Sequence, residues 1–165
     1  MYEKEHSPDL YGAEYQLSVD HESPIRPDSH YGSSKAAGEA WGRQYAENHN
    51  INFYALRIGS VRPPTWDHPY GDAERGVDEG EWERGNQAYE RMVARLKCTW
   101  QSRQDLAHLV EQCLDDEQVS FGIFYGISDN SNSWFELDNA RERIGYTPRD
   151  SADDPRWDKE YETGP

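Results

Sequence analysis

The chain has 165 residues, of which 35% are hydrophobic, 30% charged and 13% aromatic. That length suits one domain or part of one, and no apolar run approaches the ~18 residues of a membrane span, so a membrane protein is excluded. The formal net charge is -15, from 32 Asp+Glu against 17 Lys+Arg, a balance that repels a phosphate backbone and excludes a general nucleic-acid partner.

Six Trp and 11 Tyr are more than a disordered chain carries. Only four of the basic residues are Lys, and the acid is spread along the whole chain, which suits a protein kept soluble in concentrated salt. Met1 to Leu10 has no signal-peptide pattern. Cys98 and Cys113 form no CxxC and have no metal-like His spacing, so both are expected reduced and packed, in a cytoplasmic protein with no metal site.

In chain order, residues 1–30 carry turn signals at Ser7-Pro8-Asp9, Ser23-Pro24 and Arg26-Pro27-Asp28. Ser33 or Ser34 is expected to cap a helix that runs to about Asn48, with Gly38 and Gly42 allowing close packing. Ile51 to Ile58 is β-branched and aromatic and reads as a buried strand ended by Gly59-Ser60. Residues 63–85 show no period and read as a long loop. Helix is expected from Asn86 to about Lys97 and from Arg103 to Asp116. The second helix would bury Leu106, Leu109, Val110, Cys113 and Leu114. Phe121 to Ile127 reads as a strand, and Trp134 to Ile144 as a helix ended by Gly145. The expected organisation is one partial domain over 1–150 and an acidic flexible tail over 151–165. The alternation of helix and strand fits an α/β layer fold with parallel strands, although few strands are present.

Tyr31-Gly32-Ser33-Ser34-Lys35 is a YxxxK. Positions i and i+4 share a helix face, so phenol and ammonium lie side by side. A free Tyr has a pKa of ~10. A nearby ammonium favours the phenolate, and the pair can then take a proton from a sugar hydroxyl. The motif is weak alone. Here it follows a Pro-containing loop, opens a helix and precedes a strand ending in Arg57-Ile58-Gly59-Ser60. Arg91, Arg95, Lys97 and Arg103 add a basic cluster that suits capture of a small anion.

RPDSHYGSSKAAGEAWGRQYAE, LRIGSVRPP, RLKCTWQSRQDLAHLVEQCL, FYGISDN and GYTPRD occur in that order. Together they resemble the extended short-chain dehydrogenase/reductases of the NAD-dependent epimerase/dehydratase superfamily. The likeness is closest to the branch holding uronate dehydrogenases and archaeal NAD-dependent glucose-6-phosphate dehydrogenases. The resemblance implies the C-terminal portion of a Rossmann-like doubly wound parallel sheet, with NAD as cofactor and a small anionic sugar as substrate. It implies that Tyr31 is the catalytic acid/base and that Lys35 assists it and holds the nicotinamide ribose. Ile58 would lie beside the nicotinamide, Ser60 would meet the substrate and Arg95 would grip its anionic or hydroxyl groups. It also implies a homodimer through the family's helices.

The chain departs from the family at the cofactor. None of its 13 Gly falls into GxGxxG, and the catalytic Ser block of the family would lie before Met1. A chain without the Gly-rich half is expected to be marginal in stability and to bind NAD weakly. The expected reaction is oxidation of glucose 6-phosphate at its anomeric carbon. Uronate oxidation, nucleotide-sugar epimerase or dehydratase chemistry, and a non-catalytic fragment are the alternatives.

Overall fold

The computed structural model describes residues 2–12 and 14–161. At its centre two parallel strands, β1 (Phe53–Ile58) and β2 (Phe121–Gly126), pair in register from Phe53 opposite Phe121 to Ile58 opposite Gly126. Helix α1 (Tyr2–His6) comes first, then α2 (His30–His49) ahead of β1. Three helices, α3 (Gly71–Asp78), α4 (Gln87–Thr99) and α5 (Arg103–Asp115), separate the strands. Helices α6 (Asp138–Ile144) and α7 (Pro155–Tyr161) follow β2.

Alternation along β1 decides which layer each residue meets. Phe53 packs under α2, where a Cβ on Gly42 would come within 2.1 Å of its ring. Gly38 has open space around it, so only Gly42 has the expected packing role. Arg57 reaches the same helix through Glu39, with Nε–Oε1 at 2.8 Å and Nη2–Oε2 at 2.9 Å. Tyr54 and Leu56 face the other way, into a core built on Leu109 of α5, Phe124 of β2 and Ile144 of α6. The layers are thus α2, a two-stranded sheet, and α5 with α6.

Several expectations need correction. Helix α2 begins one turn early: Ser29 is its cap, and the Ser29 hydroxyl accepts from the Gly32 amide at 3.1 Å. Residues 1–30 hold α1 and a 3-10 turn at Asp9–Tyr11. Strand β1 is not buried: among the described residues β2 alone pairs with it, and Ile58 is 49% exposed. The expected loop over 63–85 contains α3, whose buried positions include Gly71, Asp72, Ala73 and Glu74. On α5 the buried residues are Asp105 and Leu109, whereas Val110 is exposed and Leu114 is 78% exposed. Trp134 to Leu137 is not helical, because this stretch lies beside Val19. The Val19 amide donates to the Trp134 carbonyl at 2.8 Å and the Glu136 amide to the Val19 carbonyl at 3.1 Å. Gly145, at φ 72°, does end α6.

The segment from Ser151 is not a loose tail as far as Tyr161. Ala152 is buried, and Trp157 of α7 packs on Tyr70, Val93, Leu96 and Trp100. Residues 162–165 of that segment lie outside the described residues. Asp105, fully buried, ties the chain's end to its middle. Its carboxyl oxygens accept from the Ser128 hydroxyl at 2.6 Å and from the Arg149 and Asp150 amides at 2.8 and 3.2 Å. Among the described residues no helix is long and apolar enough to cross a membrane.

Candidate active site

The early start of α2 puts Tyr31 in its first turn and Lys35 one turn on. Lys35 Nζ lies 5.1 Å from the Tyr31 ring centroid, over its face. The phenol is 72% exposed. Both side chains line a cleft of about 610 Å3 between α2 and the unpaired edge of β1, with Gly38, Glu39, Leu56 and Ile58 on its walls. Glu39 and Arg57 brace this cleft. Arg57 also donates to the Tyr125 hydroxyl at 3.0 Å, which locks α2 across both strands. The hydrogen bond to Glu39 outweighs burial and raises the Arg57 pKa above its ordinary value. Sequence reading missed this brace because its partners are 18 residues apart and on different elements.

A second cleft, of about 300 Å3, adjoins the first through Ile58. It is lined by Gly59, Ser60, Thr99, Arg95, Glu3, Tyr125 and Trp134, among others. Ser60 reaches it because the chain crosses α4 closely here: the Ser60 amide donates to the Thr99 carbonyl at 2.6 Å. A Cβ on Gly59 would lie 2.5 Å from that same carbonyl, so this crossing requires glycine. The Ser60 and Thr99 hydroxyls are 3.0 Å apart. The five residues singled out in the sequence therefore fall into two clefts. Tyr31 and Lys35 are in one, Ser60 and Arg95 in the other, and Ile58 is on both.

The expected basic cluster is only partly assembled: Arg91 and Arg95 line one cavity, but three of the four side chains already have partners. Arg91 donates to the Ser7 hydroxyl at 3.1 Å, Arg95 pairs with Glu3 at 2.5 Å, and Lys97 pairs with Asp158 at 2.8 Å. Arg103 lines a separate groove with Val61, Pro63 and Leu106. A cavity of about 930 Å3 runs between Pro8–Tyr11 and α4, and of the five residues touches Arg95 alone. Burial pushes the Cys98 thiol up to about 12 and the Cys113 thiol to about 11, so neither is a nucleophile at neutral pH.

The fit to a nicotinamide dinucleotide is partial. An ammonium and a phenol on an open cleft, with Ile58 as an apolar platform, suit a ribose and a nicotinamide ring. A pyrophosphate needs a strand, a Gly-rich turn and a helix N-terminus. No such unit occurs among the described residues: Gly59 is pressed on Thr99, and Gly126 on Leu109 and Gln101.

No family model matches the chain. It is 34% identical over 146 residues to an NAD-dependent glucose-6-phosphate dehydrogenase of Haloferax volcanii, which covers 88% of this chain and 47% of that protein. It is 33% identical over 134 residues to an L-arabinose 1-dehydrogenase (NAD(P)(+)) of the same organism, covering 78% of this chain and 45% of that one. A solved structure of a glucuronic acid dehydrogenase from Chromohalobacter salexigens superposes with a TM-score of 0.64 at 27% identity, over 90% of this chain and 45% of that one. The chain spans about half the length of the curated relatives it matches. With its parallel α/β layers, the chain is similar to the C-terminal part of these epimerase/dehydratase-like sugar dehydrogenases.

Proposed function

We propose that this chain supplies the acid/base and sugar-recognition half of an NAD-dependent sugar dehydrogenase. The observation that carries the reading is the Tyr31–Lys35 pair, open to a cleft that meets a second, hydroxyl-lined cleft at Ile58. Bound nicotinamide would supply the hydride acceptor. The chain's own residues do the rest. Tyr31 takes the proton of the anomeric hydroxyl as its carbon becomes a lactone carbonyl, and Lys35 stabilises the phenolate and orients the ribose. Ile58 excludes water between the two clefts. Ser60, held by Thr99, meets a sugar hydroxyl, and Arg95 lines the same cleft.

Glucose 6-phosphate is the substrate that the 34% identical relative supports. A second reading, an uncharged aldose, is favoured by one observation: Arg95 already holds a carboxylate, that of Glu3. The test follows NADH formation at millimolar NAD with glucose 6-phosphate, glucuronate and L-arabinose, while tryptophan fluorescence reports sugar binding. Tyr31→Phe is expected to lower turnover at least about 100-fold and leave sugar binding unchanged. A Tyr31→Phe chain that keeps the full rate, or a chain that binds none of the three sugars, overturns the reading.

A further inference from the structure

Arg95 holds Glu3 with two prongs, Nε to Oε1 at 2.5 Å and Nη2 to Oε2 at 3.3 Å. That is how a guanidinium grips a carboxylate arriving from solution. Here the carboxylate belongs to the protein, 92 residues away in sequence. The Tyr11 hydroxyl donates to the same Glu3 oxygen at 2.9 Å. Helix α1, which carries Glu3, is itself tied down. The Tyr2 hydroxyl donates to the Pro24 carbonyl at 3.0 Å, Glu5 pairs with Arg26 at 2.6 Å, and Arg26 lies 5.0 Å above the Tyr2 ring. Asp72, whose main partner is Arg62, also feels the charge of Arg95. The cation that lines the sugar cleft is therefore already balanced.

We propose that Glu3 is a specificity residue. It fills the carboxylate position on Arg95, so the cleft takes an uncharged aldose, and a uronate or sugar phosphate binds there only by displacing α1. This rests on the sugar-cleft reading above. A tethered carboxylate competes at an effective concentration of millimolar or more, whereas an external anion has to reach that level in solution. The cleft offers neutral hydroxyls good partners in Ser60 and Thr99.

The test titrates the chain with L-arabinose, glucuronate and inorganic phosphate, read by tryptophan fluorescence, since Trp134 lines the cleft. Glu3→Gln is expected to gain about tenfold or more in affinity for glucuronate and phosphate, with L-arabinose changed less than about threefold. Glu3→Asp keeps the charge and is expected to stay near the unsubstituted chain, which separates loss of charge from loosening of α1. Glu3→Gln combined with Arg95→Gln is expected to lose the gain. Glucuronate and phosphate binding equally to the unsubstituted chain and Glu3→Gln overturns the proposal. Should no sugar bind to either, the sugar reading fails. The phosphate arm then still decides whether Glu3 masks Arg95: binding by Glu3→Gln alone supports the mask, and equal binding refutes it.

Discussion

The two sides of the molecule handle their polar groups in opposite ways. On the side built by α3, α4 and α7, the acids are matched by donors, and Asp72 and Glu74 among them are buried. Glu74 accepts from Arg84 and from the Tyr89 hydroxyl, Asp72 from Arg62, and Asp158 from Lys97 and the Tyr70 hydroxyl. On the side of α2 and β1, the phenol of Tyr31, the indole of Trp41 and the edge of β1 face solvent. The first side spends its polar groups on holding itself together. The second pairs Glu39 with Arg57 but leaves Tyr31 and the β1 edge open. A chain with a -15 charge can keep so many carboxylates in its interior only where each has a donor.

A further matched carboxylate, Asp105 of α5, carries the largest expected effect. Asp105→Ala would orphan the buried Ser128 hydroxyl and release the part-buried amides of Arg149 and Asp150, so it is expected to cost about 3 kcal/mol by denaturant unfolding. A loss below about 1 kcal/mol would mean that this hub holds nothing together.

Acid should attack the matched side in two steps. Burial holds His68 below its ordinary 6.5, although Glu160, Glu74 and Asp67 pull it the other way. Its ring stacks on Tyr161 at 4.5 Å and on Trp157 at 5.9 Å. The native state keeps this imidazole neutral while the unfolded chain protonates it. Stability is therefore full above about 6.5 and falls as pH drops from there through the lower native value. Asp72 and Glu74 are both held below their ordinary values, since Arg62 on the one and Arg84 with Tyr89 on the other outweigh burial. Their contribution is present above about 4 and is lost as pH falls through their native values. Thermal midpoints measured against pH should show both steps. His68→Phe should remove the first and keep the second, and a single step below about 4 in the unsubstituted chain would refute the His68 assignment.

The smallest effect belongs to the open side. Trp41 is 70% exposed, so Trp41→Ser is expected to change stability within about 0.5 kcal/mol. A loss of 2 kcal/mol or so, as in a packed core, would show that this face is covered after all.

What could be read in the sequence follows the same division. Tyr31 and Lys35 were legible because a helix repeat fixes them relative to each other, whatever the rest of the chain does. The strands were legible from their β-branched and aromatic runs. Helix α3 was not, because its inward positions are Gly71, Asp72, Ala73, Glu74 and Gly76, and a buried face of glycines, one alanine and matched charges has no apolar period. The early start of α2 was hidden because Ser29, Ser33 and Ser34 are all competent caps, and proximity of Pro27 to Gly32 favours the first. Helix α7 was hidden because Pro155 looks like a breaker, yet at the first position of a helix a proline is at home. The grip of Glu3 on Arg95 had no local signal, since only the tertiary fold brings residue 3 to residue 95.

The most direct measurement compares nicotinamide mononucleotide with NAD in calorimetric titrations of the same chain. If, as proposed, the Tyr31–Lys35 cleft takes the nicotinamide ribose, the two ligands should bind within about threefold of each other, since no Gly-rich strand-turn-helix unit for the pyrophosphate occurs among the described residues, and Lys35→Ala should abolish both. NAD binding tenfold or more tighter than the mononucleotide, or Lys35→Ala binding both unchanged, would contradict the account.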